Sequence, residues 1–280
     1  MNLSELRALL EQHGLQLTKS LGQNFLHDGN QLRRIVALAE VHPGDKILEV
    51  GPGLGALTSH LLAAGCEVLA IEKDTRLAAV LRERCQGKPL TIELGDAVRV
   101  LRERPPDWAG WKLVANLPYS VASPILVDLA LAPTPPERMV VTVQLEVARR
   151  LAASPDTADY GLLSLLVQAR FRPGEWFRIP EQSFYPPPRV VSACLRLDRR
   201  SKPVVAEAVL PVYRKLVKCA FSQRRKKMIK LLRNLWPLPA LETFYAREAL
   251  REDVRAEKVT LDQFARLAEH LAATERESNA

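Results

Sequence analysis

Apolar residues recur at Leu3, Leu6, Leu9 and Leu10 and the pattern stops at Gly14, which predicts a short amphipathic helix closed by a glycine. From Gln31 onward, helical stretches alternate with short apolar runs. The order is QLRRIVALAEV (helix), KILEV (strand), a glycine loop, ALTSHLLAAG (helix), EVLAIE (strand), TRLAAVLRERC (helix) and LTIEL (strand). Parallel neighbours need a crossover helix, so this βαβαβ series predicts a doubly wound parallel sheet covered on both faces. Further strands are expected at KLVAN, at MVVTVQ, around EWFRI and at VVSACLRL. The last two are joined through Pro186-Pro187-Pro188, a connection too short for a crossover helix, and are expected to form an antiparallel hairpin at the sheet edge. Beyond Leu197 the patterns are helical throughout, including QRRKKMIKLLRNL. Three regions are therefore predicted: an N-terminal helical extension over 1–30, an α/β domain over 31–200, and a small all-α domain over 201–280.

Composition narrows the class. At 280 residues and 47% hydrophobic content the chain can bury a full core. No secretory leader pattern and no run of eighteen uncharged apolar residues is found, so a cytoplasmic protein without a membrane partner is expected. Cys66, Cys85, Cys194 and Cys219 are scattered, which points to neither a disulfide framework nor a metal site. The net charge of +8 is unevenly placed. Residues 1–198 hold 22 Lys+Arg and 22 Asp+Glu, whereas residues 199–280 hold 18 and 10. A basic excess confined to one region is the pattern of a polyanion binder.

The first strand runs into Glu49-Val50-Gly51-Pro52-Gly53-Leu54-Gly55 and then a helix. Glycines there bring backbone N–H groups close to a ligand. The G-x-G-x-G spacing departs from the dinucleotide G-x-G-x-x-G, which disfavours an NAD-linked dehydrogenase. Glu72 ends the second strand, about twenty residues on, where a carboxylate can accept from both ribose hydroxyls. Asp96 ends the third. Acids at three successive strand tips over a glycine loop suit S-adenosylmethionine, with its amino-acid end, ribose and adenine laid along the crevice.

The fourth strand ends in Asn116-Leu117-Pro118-Tyr119. An exocyclic amine on adenine is a poor nucleophile because its lone pair is shared with the ring. The Asn116 side-chain carbonyl, paired with the Pro118 or a neighbouring backbone carbonyl, can bind both N–H hydrogens and free that lone pair for in-line attack. The alkylated nitrogen is acidic, so no strong base is needed. Tyr119 offers a flat face for a flipped base. Methylation at cytosine C5 would instead call for a cysteine nucleophile, commonly after proline, and none of the four follows one.

With these residues the chain resembles, over nearly its whole length, the small-subunit ribosomal RNA adenine N6,N6-dimethyltransferase family (the KsgA type). The likeness is carried by KSLGQNFL at 19–26, EVGPGLGALT, AIEKD, GDA, NLPY, QLEVARRL at 144–151, YGLLS at 160–164, FYPPPRV at 184–190 and AFSQRRKK at 220–227. It implies a class I (Rossmann-like) methyltransferase fold and transfer of two methyls from S-adenosylmethionine to each of two adjacent adenines near the 3′ end of 16S rRNA. It also implies a part in small-subunit assembly, with an immature 30S particle as partner and the protein as a monomer. By motif match, Asn24 and Leu26 close over the donor, Gly51, Gly53, Glu72 and Asp96 hold it, Asn116 lines both donor and target, and Phe184 stacks the base against Tyr119. Arg224, Arg225, Lys226 and Lys227, expected on a helix, become candidates for rRNA backbone contact, with Arg149 and Arg150 beside them. Ser120 stands where Asn is frequent in the family, and Tyr185 where a smaller residue is. Two rivals remain: a large-subunit rRNA adenine methyltransferase of the resistance type, and a non-catalytic ribosome-assembly or transcription factor on the same fold.

Overall fold

The structure is a computed structural model that describes residues 1–16, 23–103, 107–223 and 225–278. The chain begins with α1 (Leu3–Gln12), β1 (Phe25–Leu26) and α2 (Gly29–Ala39). The expected alternation follows: β2 (Lys46–Val50), α3 (Ala56–Ala63), β3 (Glu67–Glu72), α4 (Thr75–Arg84), β4 (Leu90–Leu94), α5 (Ala97–Glu103), β5 (Trp111–Asn116), α6 (Ala122–Ala130) and β6 (Arg138–Gln144). Then come α7 (Leu145–Ala152), α8 (Leu162–Gln168), β7 (Phe171–Ile179), β8 (Phe184–Tyr185) and β9 (Ser192–Arg199). The rest is helical: α9 (Leu210–Ala220), α10 (Met228–Leu232), α11 (Leu238–Arg247) and α12 (Leu261–Ser278).

Seven strands form one sheet in the order β4-β3-β2-β5-β6-β9-β7. β2 pairs in parallel with both β3 and β5, β3 with β4, and β5 with β6, while β9 runs antiparallel to β6 and β7 takes the edge beyond it. The direction of winding reverses between β3 and β5, on either side of β2. A crevice must open there at the carboxyl ends of the strands. In β2, Ile47, Leu48, Glu49 and Val50 are all buried, as a strand covered on both faces requires. Glu49 is the polar exception in that run.

The chain divides into two compact units, Met1–Ala148 with Arg172–Arg199, and Arg149–Phe171 with Arg200–Ala280. One cut falls between Arg199 and Arg200, and the segment Arg149–Phe171 belongs to the helical unit. Its polar ties explain why. The Tyr213 hydroxyl donates to the Leu165 carbonyl at 2.9 Å and the Tyr160 hydroxyl to the Val259 carbonyl at 3.1 Å. The Arg200 N–H reaches the Arg170 carbonyl at 2.8 Å, and the Tyr160 ring meets Phe221 edge-on, with centroids 6.3 Å apart. The N-terminal helix is docked rather than appended. Leu6 and Leu10 are buried with Phe25, Leu54, Leu77 and Val80.

The basic run also differs from its expectation. α9 stops at Ala220 and α10 starts at Met228, so Arg225, Lys226 and Lys227 lie in the exposed connection between helices, not on one. Lys227 has ψ of 133°, outside the helical range, at the N-cap of α10. Cations gathered where the helix dipole is positive oppose helix extension, which accounts for the late start. Arg224 lies outside the described residues. Among the described residues no helix is long and apolar enough to cross a membrane.

Leu113 on β5 is fully buried at the centre of the sheet. Leu113→Ala is expected to lower the unfolding free energy by about 2–5 kcal/mol. Urea denaturation should show an earlier midpoint with an unchanged slope.

Candidate functional site at the strand tips

The loop after β2 turns on three glycines with φ of +70° (Gly51), +58° (Gly53) and +79° (Gly55). Space is as demanding as conformation here. A Cβ on Gly53 would sit 2.6 Å from a Phe25 ring carbon, and one on Gly51 3.2 Å from the Pro118 ring. The loop therefore runs under β1 and against the turn that follows β5.

Three carboxyl groups face this loop, and each is held differently. Glu72, buried at the tip of β3, accepts from the N–H groups of Gly53 (3.1 Å), Lys73 (2.9 Å) and Asp74 (2.9 Å). Burial nevertheless keeps its pKa above the usual carboxylate range. Asp96, just past β4, accepts from Lys73 Nζ at 2.9 Å and from the Val98 N–H at 3.0 Å, and the Lys73 ammonium holds it below that range. Glu49 is 2% exposed and accepts from the Thr58 hydroxyl at 2.7 Å. Burial, with the Glu72 charge nearby, pushes Glu49 up to about 8.

At the tip of β5, the Leu117 N–H donates to the Thr142 carbonyl at 3.1 Å and the Val121 N–H to the Pro118 carbonyl at 3.1 Å, which fixes the turn. Asn116 Nδ2 donates to the Asn24 carbonyl at 3.1 Å. A carbonyl can only accept, so this contact sets the amide's orientation. Asn116 Oδ1 is buried with no partner among the described residues. The Tyr119 hydroxyl meets Ser192 Oγ at 2.5 Å.

One cleft gathers these groups. Asn24, Leu26, Gly51, Gly53, Glu72, Asp96, Asn116, Pro118 and Tyr119 all line it. Every one of them belongs to the α/β unit.

A family profile described as ribosomal RNA adenine dimethylase matches residues 14–273. The chain is 40% identical over 277 residues to the ribosomal RNA small subunit methyltransferase A of Pelotomaculum thermopropionicum, with 94% of each chain covered. It is 42% identical over 236 residues to that of Opitutus terrae, covering 82% of this chain and 84% of the relative. The chain belongs to the ribosomal RNA adenine dimethylase family. Among solved structures, the 23S rRNA methyltransferase ErmE superposes with a TM-score of 0.66 at 31% identity, over 89% of this chain and 99% of its own. A dimethyladenosine transferase from Plasmodium falciparum superposes with a TM-score of 0.75 at 22% identity, over 91% and 98%, a likeness of fold.

As a member of the ribosomal RNA adenine dimethylase family, the protein is an S-adenosylmethionine-dependent methyltransferase with a Rossmann-like sheet. The cleft fits that donor. Its glycine cradle has no room for side chains, its acids stand at successive strand tips, and an unspent acceptor sits at the fourth. Phe184, expected to stack the base, is not among the residues that line this cleft. It is 1% exposed and packs with Leu26, Leu32 and Ile35 in the core. The cause is the pairing of β1 with β8, which sets Leu26 opposite Phe184 and Phe25 opposite Tyr185. Alternation then sends Phe184 inward and leaves Tyr185 on the other face, under the Arg7 guanidinium at 5.1 Å.

Several lining residues went unread in the sequence. Gln23 binds Asp74 at 3.2 Å, and Asp74 also caps α4 through the Arg76 N–H at 3.0 Å. Phe25 roofs Gly53. The QNF and EKD letters were visible, but nothing in their spacing distinguished a packing role from a binding one.

Glu49 yields a pH prediction. A carboxyl whose folded pKa is raised favours folding most below its unfolded pKa near 4.5, and that stability is lost as pH rises towards about 8. Glu49→Gln, which keeps an acceptor for Thr58, should flatten the fall in stability between pH 5 and pH 8, measured by urea denaturation without donor.

Proposed function

We propose that this protein transfers methyl groups to the N6 amines of two adjacent adenines near the 3′ end of 16S rRNA, in an immature 30S particle, acting as a cytoplasmic monomer with a part in small-subunit biogenesis. The observation that carries the chemistry is Asn116 Oδ1, a buried acceptor without a partner among the described residues, at the tip of β5. An unpaired buried carbonyl costs roughly 1–3 kcal/mol, an arrangement that makes sense where a substrate N–H completes it.

When bound, S-adenosylmethionine supplies an electrophilic methyl on a cationic sulfur. Gly51 and Gly53 would hold its amino-acid end through their backbone, Glu72 its ribose hydroxyls and Asp96 its adenine edge, with Asn24 and Leu26 closing over it. Asn116 Oδ1 accepts one N–H of the target amine. The Pro118 carbonyl, which spends one lone pair on Val121, offers the other to the second N–H. Together they draw the nitrogen's lone pair out of the ring and aim it. Tyr119 gives the base a face to lie on. No side chain has to remove a proton before attack, because the methylated amine loses its own to water.

The helical unit supplies the affinity in this reading. It holds 20 Lys+Arg against 12 Asp+Glu, while the α/β unit holds 20 of each. Arg225, Lys226 and Lys227, with Arg149 and Arg150 on α7, are exposed in the same unit and suit phosphate contact.

The target is tested with labelled donor on immature small subunits, mature small subunits and large subunits from cells lacking the enzyme. Label on immature small subunits is expected. Label on large subunits alone would move the chain to the resistance-type activity, a rival kept in view by 31% identity to ErmE. Separately, Asn116→Ala should lower single-turnover transfer at least a hundredfold and leave donor affinity within about tenfold. Equal losses in both would confine Asn116 to donor binding.

A further inference from the structure

Ser192 is fully buried on β9, opposite Gln144 of β6, in a stretch whose next three residues, Ala193, Cys194 and Leu195, are apolar and equally buried. A hydroxyl in such a setting needs a partner, and it has one in the Tyr119 hydroxyl at 2.5 Å. Tyr119 itself is half-buried, lines the cleft, and follows a turn whose backbone is tied at Leu117 and Pro118. Those backbone ties leave its ring free to swing about two side-chain torsions. The contact with Ser192 removes that freedom by anchoring the far end of the ring to the sheet. We infer that Ser192 is a positioning residue for the methyl transfer. It touches neither base nor donor, and fixes the plane of the Tyr119 ring so that a stacked adenine presents its amine to Asn116.

The geometry favours this over simple satisfaction of a buried hydroxyl. Asn116, on β5, is paired with Thr142 on β6, and β6 is paired with β9, so the acceptor and the stacking face are referenced to the two strands that flank β6 in one sheet. Reacting groups need placement within about 0.5 Å and 10–20°, which a ring anchored at one end does not provide. Burial keeps the Tyr119 phenol protonated well past neutral pH, so the tie persists over the working range.

The inference rests on Tyr119 being the stacking face, and a set of four variants separates the two ideas. Tyr119→Ala tests the face: unchanged single-turnover transfer would overturn the stacking reading, and the Ser192 inference with it. Tyr119→Phe keeps the face and removes the tie, as Ser192→Ala does from the other side. Each is expected to lower the single-turnover rate at saturating particle and donor by about tenfold, with donor affinity unchanged. The double variant Tyr119→Phe/Ser192→Ala is expected to lose no more than either single one, because both remove the same bond. Losses that multiply in the double variant would overturn the inference. So would a Tyr119→Phe enzyme with the parent rate, a variant that lacks a single oxygen and decides the matter even where Ser192→Ala fails to fold.

Discussion

The site depends on one hydrogen bond, from Asn116 Nδ2 to the Asn24 carbonyl. It commits the donor half of the amide to the segment that covers the cleft, and thereby turns the acceptor half towards the space where a target amine would lie. Remove it, and the amide has no reason to prefer one orientation over its flipped alternative. The same bond couples two events. Asn24 lies in the segment that roofs the glycine loop through Phe25, so under the proposed function closure over the donor and preparation of the acceptor would share one contact. Chemistry that needs no strong base relies on such geometry, because little else lowers its barrier.

Electrostatics at the neighbouring tips follows from depth in the cleft. Asp96 is partly exposed and paired with Lys73, and stays ionised. Glu72 has three backbone donors yet still rises, and Glu49, held by Thr58 and more deeply buried, is pushed up to about 8. The cleft without donor thus carries less negative charge than its three acids suggest. A cationic donor would return what burial removes, since a positive charge near Glu49 and Glu72 favours their ionised forms. Acids that look equivalent along the sequence are graded in the fold, from a surface carboxylate to a group that is largely protonated at neutral pH.

Much of this could be read from the sequence, for reasons that can be named. Strands β2 to β6 were legible because each is a short apolar run between helical periods, and the tips were legible because Glu72, Asp96 and Asn116 each end such a run. What escaped depended on pairing across long separations. The two-residue strands β1 and β8 have no periodicity of their own, and their register alone decides that Phe184 points into the core. The adoption of Arg149–Phe171 by the helical unit rests on contacts such as Tyr160 to Val259, which span about a hundred residues. The connection holding Arg225, Lys226 and Lys227 departs from the helix its letters favour, because positive charge at the start of α10 opposes the positive end of the helix dipole.

The separation of charge from chemistry is itself a physical arrangement. A unit of balanced charge holds the entire cleft, and a unit of net +8 holds the candidate phosphate contacts. Phosphate contacts give affinity that falls steeply with salt and is indifferent to which base is presented. Selection of an adenine amine must then come from the cleft, where Asn116 Oδ1 and the Pro118 carbonyl accept and offer no hydrogen. A base presenting a carbonyl at that position would set oxygen against oxygen, leave the buried Asn116 acceptor unpaired, and gain nothing from Tyr119 that adenine does not also gain. Under the proposed function, discrimination of base rests on the acceptors at one strand tip and tightness of binding on cations in the other unit, so that substitutions in one should alter selectivity with little effect on salt dependence, and substitutions in the other the reverse.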